Sequence, residues 1–309
     1  MASSIALAVV ASVSCGSRTA LVDRPIVTNE AGPDASVPCT PGTFSLSRAQ
    51  PSVMFVLDAS GSMDESFAAD GSSRWRVLTS TMQDVLPSVD EQMSIGAIIF
   101  PTGHSSQSCG VSLSPNIDPA LGQTNAIVSL MESTSPLGGT PTAEAITLAS
   151  QSLLGIRAAS LARAIILATD GGPNCNAALD TRTCTCADPT LTDCGAEPEL
   201  CLDDTRTISR IASSASSGLP TYVIGIHDPG DTQNDSVLNA MADAGGRPRS
   251  GSSQHYFAAT SPSDLQSALV DIRNQLGSCT YLTSSVPSES GSIVVTVDGV
   301  VVPYDPTGQ

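Results

Sequence analysis

The chain has 309 residues, with thirteen basic against thirty acidic side chains, a net charge of −17 at pH 7 and aromatics at only 3%. Such a surface repels nucleic-acid phosphates and anionic membranes, and so few rings leave little for base stacking. Every basic residue is Arg, so a phosphate-loop Lys, a Schiff base, a Ser-Lys dyad and a Lys-Asn isopeptide crosslink are all excluded. Imidazole bases are restricted to His104, His227 and His255, each in a loop or strand-end context, and there is no G-x-S-x-G elbow. The composition therefore points away from an enzyme.

In chain order, Ile5 to Val13 is an apolar stretch too short to span a bilayer, followed by small residues and Cys15. It reads as a signal peptide over residues 1–14. Ala11-Ser12-Val13-Ser14-Cys15-Gly16 resembles a bacterial lipobox, departing from it in Ser12, where Leu is usual, and in the lack of Arg or Lys ahead of the apolar run. That resemblance implies a lipidated Cys15, membrane attachment by lipid alone, and a location in the bacterial cell envelope, at the outer membrane or surface. Residues 15–50 would then be the anchor and a polar tether stiffened by Pro25, Pro33 and Pro38.

From residue 51 to 277 strands and helices alternate. Val53 to Leu57 is a continuous apolar run that fits a strand buried on both faces. Trp75, Leu78, Met82 and Val85 recur at helical spacing, with Ser72 or Ser73 placed to cap that helix. Met93 to Phe100 reads as a second strand and Val111 to Leu113 as a short edge strand. Helices are expected over Leu121 to Met131 and Thr142 to Leu154, and a buried strand over Ala164 to Ala168. After a long insertion come a helix near Thr205 to Ser216, a strand over Thr221 to Ile226, a helix over Asp235 to Ala244 and a strand over His255 to Ala258. The last helix is marked by Ser261 as N-cap, Pro262 in the first turn, Asp264 three residues after the cap, and Leu265, Leu269, Ile272 and Leu276 on one face. This alternation specifies an α/β fold: a doubly wound, mostly parallel sheet with helices on both faces.

Three segments carry the chemistry. Asp58-Ala59-Ser60-Gly61-Ser62 follows the first buried strand, Thr169-Asp170-Gly171 follows the third, and Gly138-Gly139-Thr140-Pro141-Thr142 lies between them. In a doubly wound sheet, ligands bind beyond the carboxyl ends of the strands, where Asp58 and Asp170 fall. Each segment also has an ordinary reading: a polar turn at Asp58 to Ser62, a helix start at Thr140-Pro141, a turn at Asp170-Gly171. Their conjunction in this order resembles the metal-ion-dependent adhesion site of von Willebrand factor A domains, including those inserted in integrin alpha subunits. The resemblance covers residues 51 to 277 and implies a Rossmann-like fold. It implies that Ser60, Ser62 and Thr140 bind a divalent cation directly while Asp58 and Asp170 act through waters. The cation would be Mg2+, with Mn2+ or Ca2+ as alternatives, and its open position would take a carboxylate from a protein ligand. A haloacid-dehalogenase phosphatase loop is excluded because Ser60 stands where that chemistry needs a second Asp. The functional expectation is a cell-envelope adhesion or scaffolding module. The alternatives are a metal-dependent hydrolase and a structural protein whose metal only braces loops.

Nine cysteines are an odd number, but setting Cys15 aside leaves eight, which suits disulfides in an oxidising compartment. Cys39 and Cys279 flank the domain and would pair across its ends. Cys175, Cys184, Cys186, Cys194 and Cys201 lie in the insertion, residues 171–203; five cannot pair among themselves, so Cys109 is the expected partner of one. A zinc site on Cys184-Thr185-Cys186 is the rival, without paired C-x-x-C knuckles to support it. The insertion also holds Asp180, Asp188, Asp193, Glu197, Glu199 and Asp203 against Arg182, a composition that would suit Ca2+ or simply a solvated loop. Finally, Ile293 to Val297 and Val300 to Val302 flank Asp298-Gly299 and predict a β-hairpin within residues 280–309, either packed on the main domain or part of a larger module cut short here.

Overall fold

The structure, a computed structural model, describes residues 50–67, 70–103, 105–156, 162–188, 191, 193–195, 197–227, 234–249 and 251–276, together with the strand segments 46–48, 281–283, 295–297 and 300–302. Cys15, Cys39, Cys279 and His104 lie outside the described residues, and with them the lipidation and the Cys39–Cys279 pair. The chain divides into two units, residues 50–278 and the flanking segments.

In the flanking unit, β1 (Leu46–Arg48) is one short strand ahead of the main domain. The main unit then runs β2 (Ser52–Asp58), α1 (Arg74–Asp90), β3 (Ser94–Phe100), β4 (Ile117–Ala120), α2 (Thr124–Ser133), α3 (Thr142–Gly155), β5 (Arg163–Thr169), α4 (Asp204–Ser216), β6 (Thr221–Ile226), α5 (Asp235–Ala244), β7 (Phe257–Ala259) and α6 (Pro262–Leu276). Beyond it, β8 (Tyr281–Thr283) pairs antiparallel with β1. A hairpin of β9 (Val295–Val297) and β10 (Val300–Val302) sets Val297 opposite Val300, as the Asp298-Gly299 signal predicts.

The six strands of the main sheet lie in the order β4-β3-β2-β5-β6-β7, all parallel except β4. From β2 the chain winds outward through β3 and β4, then returns to lay β5 on the other side of β2. The ends of β2 and β5 therefore flank the switch point, the place where such sheets open a crevice. Both faces are covered. Val53, Phe55 and Leu57 meet Trp75, Leu78 and Met82 of α1, Ile127 and Met131 of α2, and Leu265, Leu269 and Ile272 of α6. Met54 and Val56, alternating with them along β2, meet Ile146, Ala149 and Leu153 of α3, Ile211 of α4, and Leu238 and Met241 of α5. That two-sided burial is why β2, β3 and β5 read as unbroken apolar runs; each fully buried aliphatic side chain contributes about 1.5–3 kcal/mol.

The helix starts follow local chemistry. Ser73 caps α1 by accepting a bond from the Arg76 amide, and the Ser261 hydroxyl accepts from the Asp264 amide at 3.2 Å. Asp264 itself reaches back to Thr260, bonding its amide and hydroxyl. Among the described residues no helix is long and apolar enough to cross a membrane.

One expected element is wrong. Val111 to Leu113 is not a strand, and Leu113 is fully exposed; the edge strand is β4, Ile117–Ala120, antiparallel to β3. Pro119 hid it, since Pro within a run argues against a strand except at an edge. The pairing shifts register between Ile95 and Ala97, and a Cβ at the intervening Gly96 would lie 2.7 Å from the Ile117 carbonyl oxygen and the Pro119 nitrogen. Helix α2 also begins at Thr124 rather than Leu121, because Asp90, at the end of α1, accepts bonds from the Gly122 amide (2.8 Å), the Thr124 amide (2.9 Å) and the Thr124 hydroxyl (2.9 Å). A distant carboxylate thus does the work of an N-cap. Replacing it by Asp90→Ala should lower the unfolding free energy by about 2 kcal/mol, with Asp90→Asn losing about half as much, in urea denaturation followed by Trp75 fluorescence.

Candidate metal centre

Asp58 is the last residue of β2 and is completely buried. One carboxylate oxygen accepts the Ser60 amide at 2.8 Å, closing a tight turn; the other accepts the hydroxyl of Thr169, the last residue of β5, at 2.6 Å. The switch point is thereby bridged by a side-chain bond. Past that turn the chain enters a 3-10 turn, Gly61–Asp64, which sets the Ser60 and Ser62 hydroxyl oxygens 3.2 Å apart. The Ser62 hydroxyl donates to Asp170 at 2.9 Å. Thus Asp58, Ser60, Ser62 and Asp170, drawn from two strand ends, form one connected cluster.

Thr140 is buried in the loop between α2 and α3. The loop is laced to the first segment by backbone bonds, the Leu137 amide to the Ala59 carbonyl (2.9 Å) and the Gly61 amide to the Gly138 carbonyl (3.0 Å). Thr140 is not the cap of α3. That place falls to Pro141, and the Thr140 carbonyl instead accepts the Thr142 amide at 2.8 Å.

Three further residues shape the site. Thr169 braces Asp58. Arg74, the first residue of α1 and buried, donates through Nη1 to Asp170 (3.1 Å), the Ser62 carbonyl (3.0 Å) and Glu65 (2.8 Å). Asn174 accepts the Thr140 amide at 2.6 Å. Of these, only Thr169, adjacent to Asp170 at a strand end, carried a sequence signal. Arg74 carries no signal beyond its place at a helix start, and Asn174 sits in an aperiodic loop.

The electrostatics test whether this donor set suits a cation. Burial raises the Asp58 pKa, against the lowering effect of its bonds from Thr169 and Ser60. Asp170 is pushed up to about 7, by burial first and the Asp58 charge second, with Arg74 and Ser62 pulling it down. Two buried carboxylates thus face each other with one guanidinium bonded to one of them. The donors around them are carboxylate and hydroxyl oxygens, the ligands a hard cation prefers. A divalent ion would supply the positive charge that these groups lack, so the residues fit.

The other candidates fare differently. Cys109 is bonded to Cys175, Cys184 to Cys201 and Cys186 to Cys194. The sulfurs of Cys184, Cys194 and Cys201 do cluster, but as disulfides they offer no thiolate to zinc. Three of the insertion's acids are engaged locally: Asp203 by Asn176 and Arg206, Asp180 by the Arg182 amide, Asp193 by the Gly195 amide. Among the described residues no three of those carboxylates converge. His227 is buried with Nε2 2.9 Å from the Tyr256 hydroxyl, which donates to Asp235; His255 pairs with Asp243.

Comparison with known proteins agrees with the fold. Residues 53–173, which hold all five expected ligands, match the family model of the von Willebrand factor type A domain. No curated protein sequence matches. Among solved structures, the PilB minor pilin from Streptococcus sanguinis superposes with a TM-score of 0.52 at 20% identity, covering 75% of this chain and 62% of the pilin. The pilus adhesin SpaC from Lactobacillus rhamnosus GG gives 0.51 at 18%, covering 75% and 31%. The manganese-loaded TRAP protein of Plasmodium vivax gives 0.51 at 16%, covering 78% and 79%. The chain spans less than two thirds of the pilin's length and under a third of the adhesin's; at these identities the likeness is one of fold.

Burial raises Asp58 and Asp170 above their values in the unfolded chain, and for Asp170, raised to about 7, the folded state between about pH 4 and pH 7 holds a proton that the unfolded state has released. Folding stability in chelator should therefore fall as pH rises through that window. Melting temperatures measured in EDTA from pH 5 to pH 8 should show the decline, and Asp170→Asn should flatten it; an unchanged slope in that variant would contradict the assignment.

Proposed function

We propose, from the premise that the chain carries a von Willebrand factor type A domain, that it is an extracytoplasmic adhesion or scaffolding module that binds an acidic group of a protein partner through a divalent cation. The observation that carries this reading is the hydrogen-bonded cluster of Asp58, Ser60, Ser62 and Asp170 at the switch point of the sheet, with the Thr140 loop bound to it. Ser60, Ser62 and Thr140 would hold the cation by neutral hydroxyls, while Asp58, bonded to the Ser60 amide, and Asp170, bonded to the Ser62 hydroxyl, would act through waters and supply charge behind them. When bound, the cation supplies a Lewis-acidic position open to a partner's carboxylate. Neutral direct ligands leave that position electron-poor, which favours an anionic group from outside. Mg2+ is the proposed ion, with Mn2+ and Ca2+ chemically competent; the TRAP neighbour is described as manganese-loaded. The pilin and pilus adhesin among the neighbours support an adhesive role outside the cytoplasm. Attachment by lipid at Cys15, with residues 16–38 as tether, is part of the same proposal and is supported by the apolar run ahead of that cysteine.

A metal-dependent hydrolase would need a general base beside the cation. His227 and His255 are engaged with Tyr256 and Asp243. Among the described residues no observation specifically favours that reading.

Calorimetric titration of the chelator-stripped protein with Mg2+ should show one site, weakened at least tenfold by Asp58→Ala and by Asp170→Ala. Partner protein captured from envelope extract should be retained with Mg2+, released by EDTA and lost with Asp58→Ala. Equal Mg2+ affinity in wild type and both variants would overturn the site.

A further inference from the structure

The Thr140 loop has no secondary structure of its own between the end of α2 and the start of α3, so its position is set by what it bonds to. On one side it is tied to the segment bearing Ser60 and Ser62. On the other, the Gly139 amide donates to the Ser108 carbonyl at 2.9 Å, the Thr140 amide to Asn174 Oδ1 at 2.6 Å, and the Asn174 amide back to the Thr140 carbonyl at 3.0 Å. Thr140 is thus gripped by both its main-chain groups. Ser108 and Asn174 belong to segments far apart in sequence, the loop after β3 and the start of the insertion after β5. Each is followed at once by a cysteine, and those two cysteines, Cys109 and Cys175, are bonded to each other.

The loop lies directly on this bridge. A Cβ at Gly139 would sit 2.5 Å from Cys175 Sγ, 2.7 Å from Asn174 Oδ1 and 3.3 Å from Cys109 Sγ, so no side chain fits there. Gly138, with φ +103°, takes a backbone conformation that suits glycine, and a Cβ on it would meet the Ser108 carbonyl oxygen at 2.6 Å. Cys175 has φ +71°, uncommon for a residue with a side chain. Its amide donates to the Glu199 carbonyl at 2.9 Å, which fastens the far end of the insertion to the same point.

We propose that Asn174 and the Cys109–Cys175 bridge are positioning elements of the cation site: they clamp residues 138–140 against the Asp58 to Ser62 segment and so hold Thr140 where a ligand is needed. The claim rests on the reading of Thr140 as a cation ligand. It gives the cysteine-rich insertion a definite task, since its first residues form one jaw of the clamp. In the Asn174 contact the Thr140 main-chain amide donates to a neutral acceptor oxygen, so any side chain presenting an oxygen at that place performs it.

The test is Mg2+ calorimetry on the full chain after chelator treatment, comparing wild type, Asn174→Ala, Asn174→Asp and the double variant Cys109→Ser/Cys175→Ser. Asn174→Ala and the double variant should each weaken Mg2+ binding by about tenfold, the scale on which outer-shell residues act at metal sites. Asn174→Asp keeps the acceptor oxygen and should stay within about threefold of wild type. Hydrogen exchange of the cation-free protein should show faster amides over residues 137–142 in the two weakened proteins, with β2 and β5 unchanged. If the double variant does not fold, Asn174→Ala with its Asp rescue carries the test alone. Wild type that binds no Mg2+ overturns the underlying site and the clamp with it. Wild type that binds while Asn174→Ala and the double variant bind equally well overturns the clamp and leaves the site standing, and so does an Asn174→Asp protein as weak as Asn174→Ala.

Discussion

Two carboxylates are buried side by side at the point where the sheet reverses its winding direction, and the rest of the site answers that constraint. Parallel pairing of β2 with β5 forces Asp58 and Asp170 into the same crevice, and the helices that cover both faces of the sheet keep bulk water from solvating them. A buried carboxylate costs several kcal/mol unless other groups take the place of its hydration. Here an amide, two hydroxyls and a guanidinium are recruited from α1, from the end of β5 and from the turn between β2 and α1. All but Arg74 are neutral, so the hydrogen bonding is met more fully than the charge. That imbalance is the physical basis for assigning a cation to this place.

The fold separates what must be rigid from what must be shaped. Two apolar layers fix the ends of β2 and β5, while the loops that complete the site rely on hydrogen bonds and disulfides rather than on core packing. The long-range field adds a further condition. A net charge of −17 raises the local concentration of divalent cations around the whole molecule, yet it opposes the approach of an acidic partner. In the proposed function, binding of a carboxylate would therefore depend on the short-range attraction of the cation winning within roughly a Debye length of about 8 Å at physiological salt, where the background repulsion is partly screened.

Much of this was legible in the sequence because the main elements obey simple periods. Unbroken apolar runs at 53–57 and 164–168 gave the two central strands, and helical spacing from Trp75 and from Leu265 gave the helices facing one side. The segments around Asp58, Thr140 and Asp170 were visible as a set because each sits at an element boundary with a distinctive composition. What was hidden depended on contacts between residues far apart in sequence. The edge strand was lost to Pro119 and to a register shift at Gly96, the start of α2 is decided by Asp90 at the end of another helix, and Asn174 is an unremarkable residue in a loop without periodicity. Arg74 was hidden differently: at the start of a helix an Arg reads as solvated, and only the burial of Asp170 beside it gives it a role.

The most direct measurement is diffraction from crystals grown with Mn2+, collected to give anomalous signal. The account predicts a single strong anomalous peak at the carboxyl edge of the sheet, within coordination distance of the Ser60, Ser62 and Thr140 hydroxyl oxygens and backed by Asp58 and Asp170. A crystal with Mn2+ at saturating concentration and no peak there, or with its only ordered peak among the acids of the insertion, would contradict it.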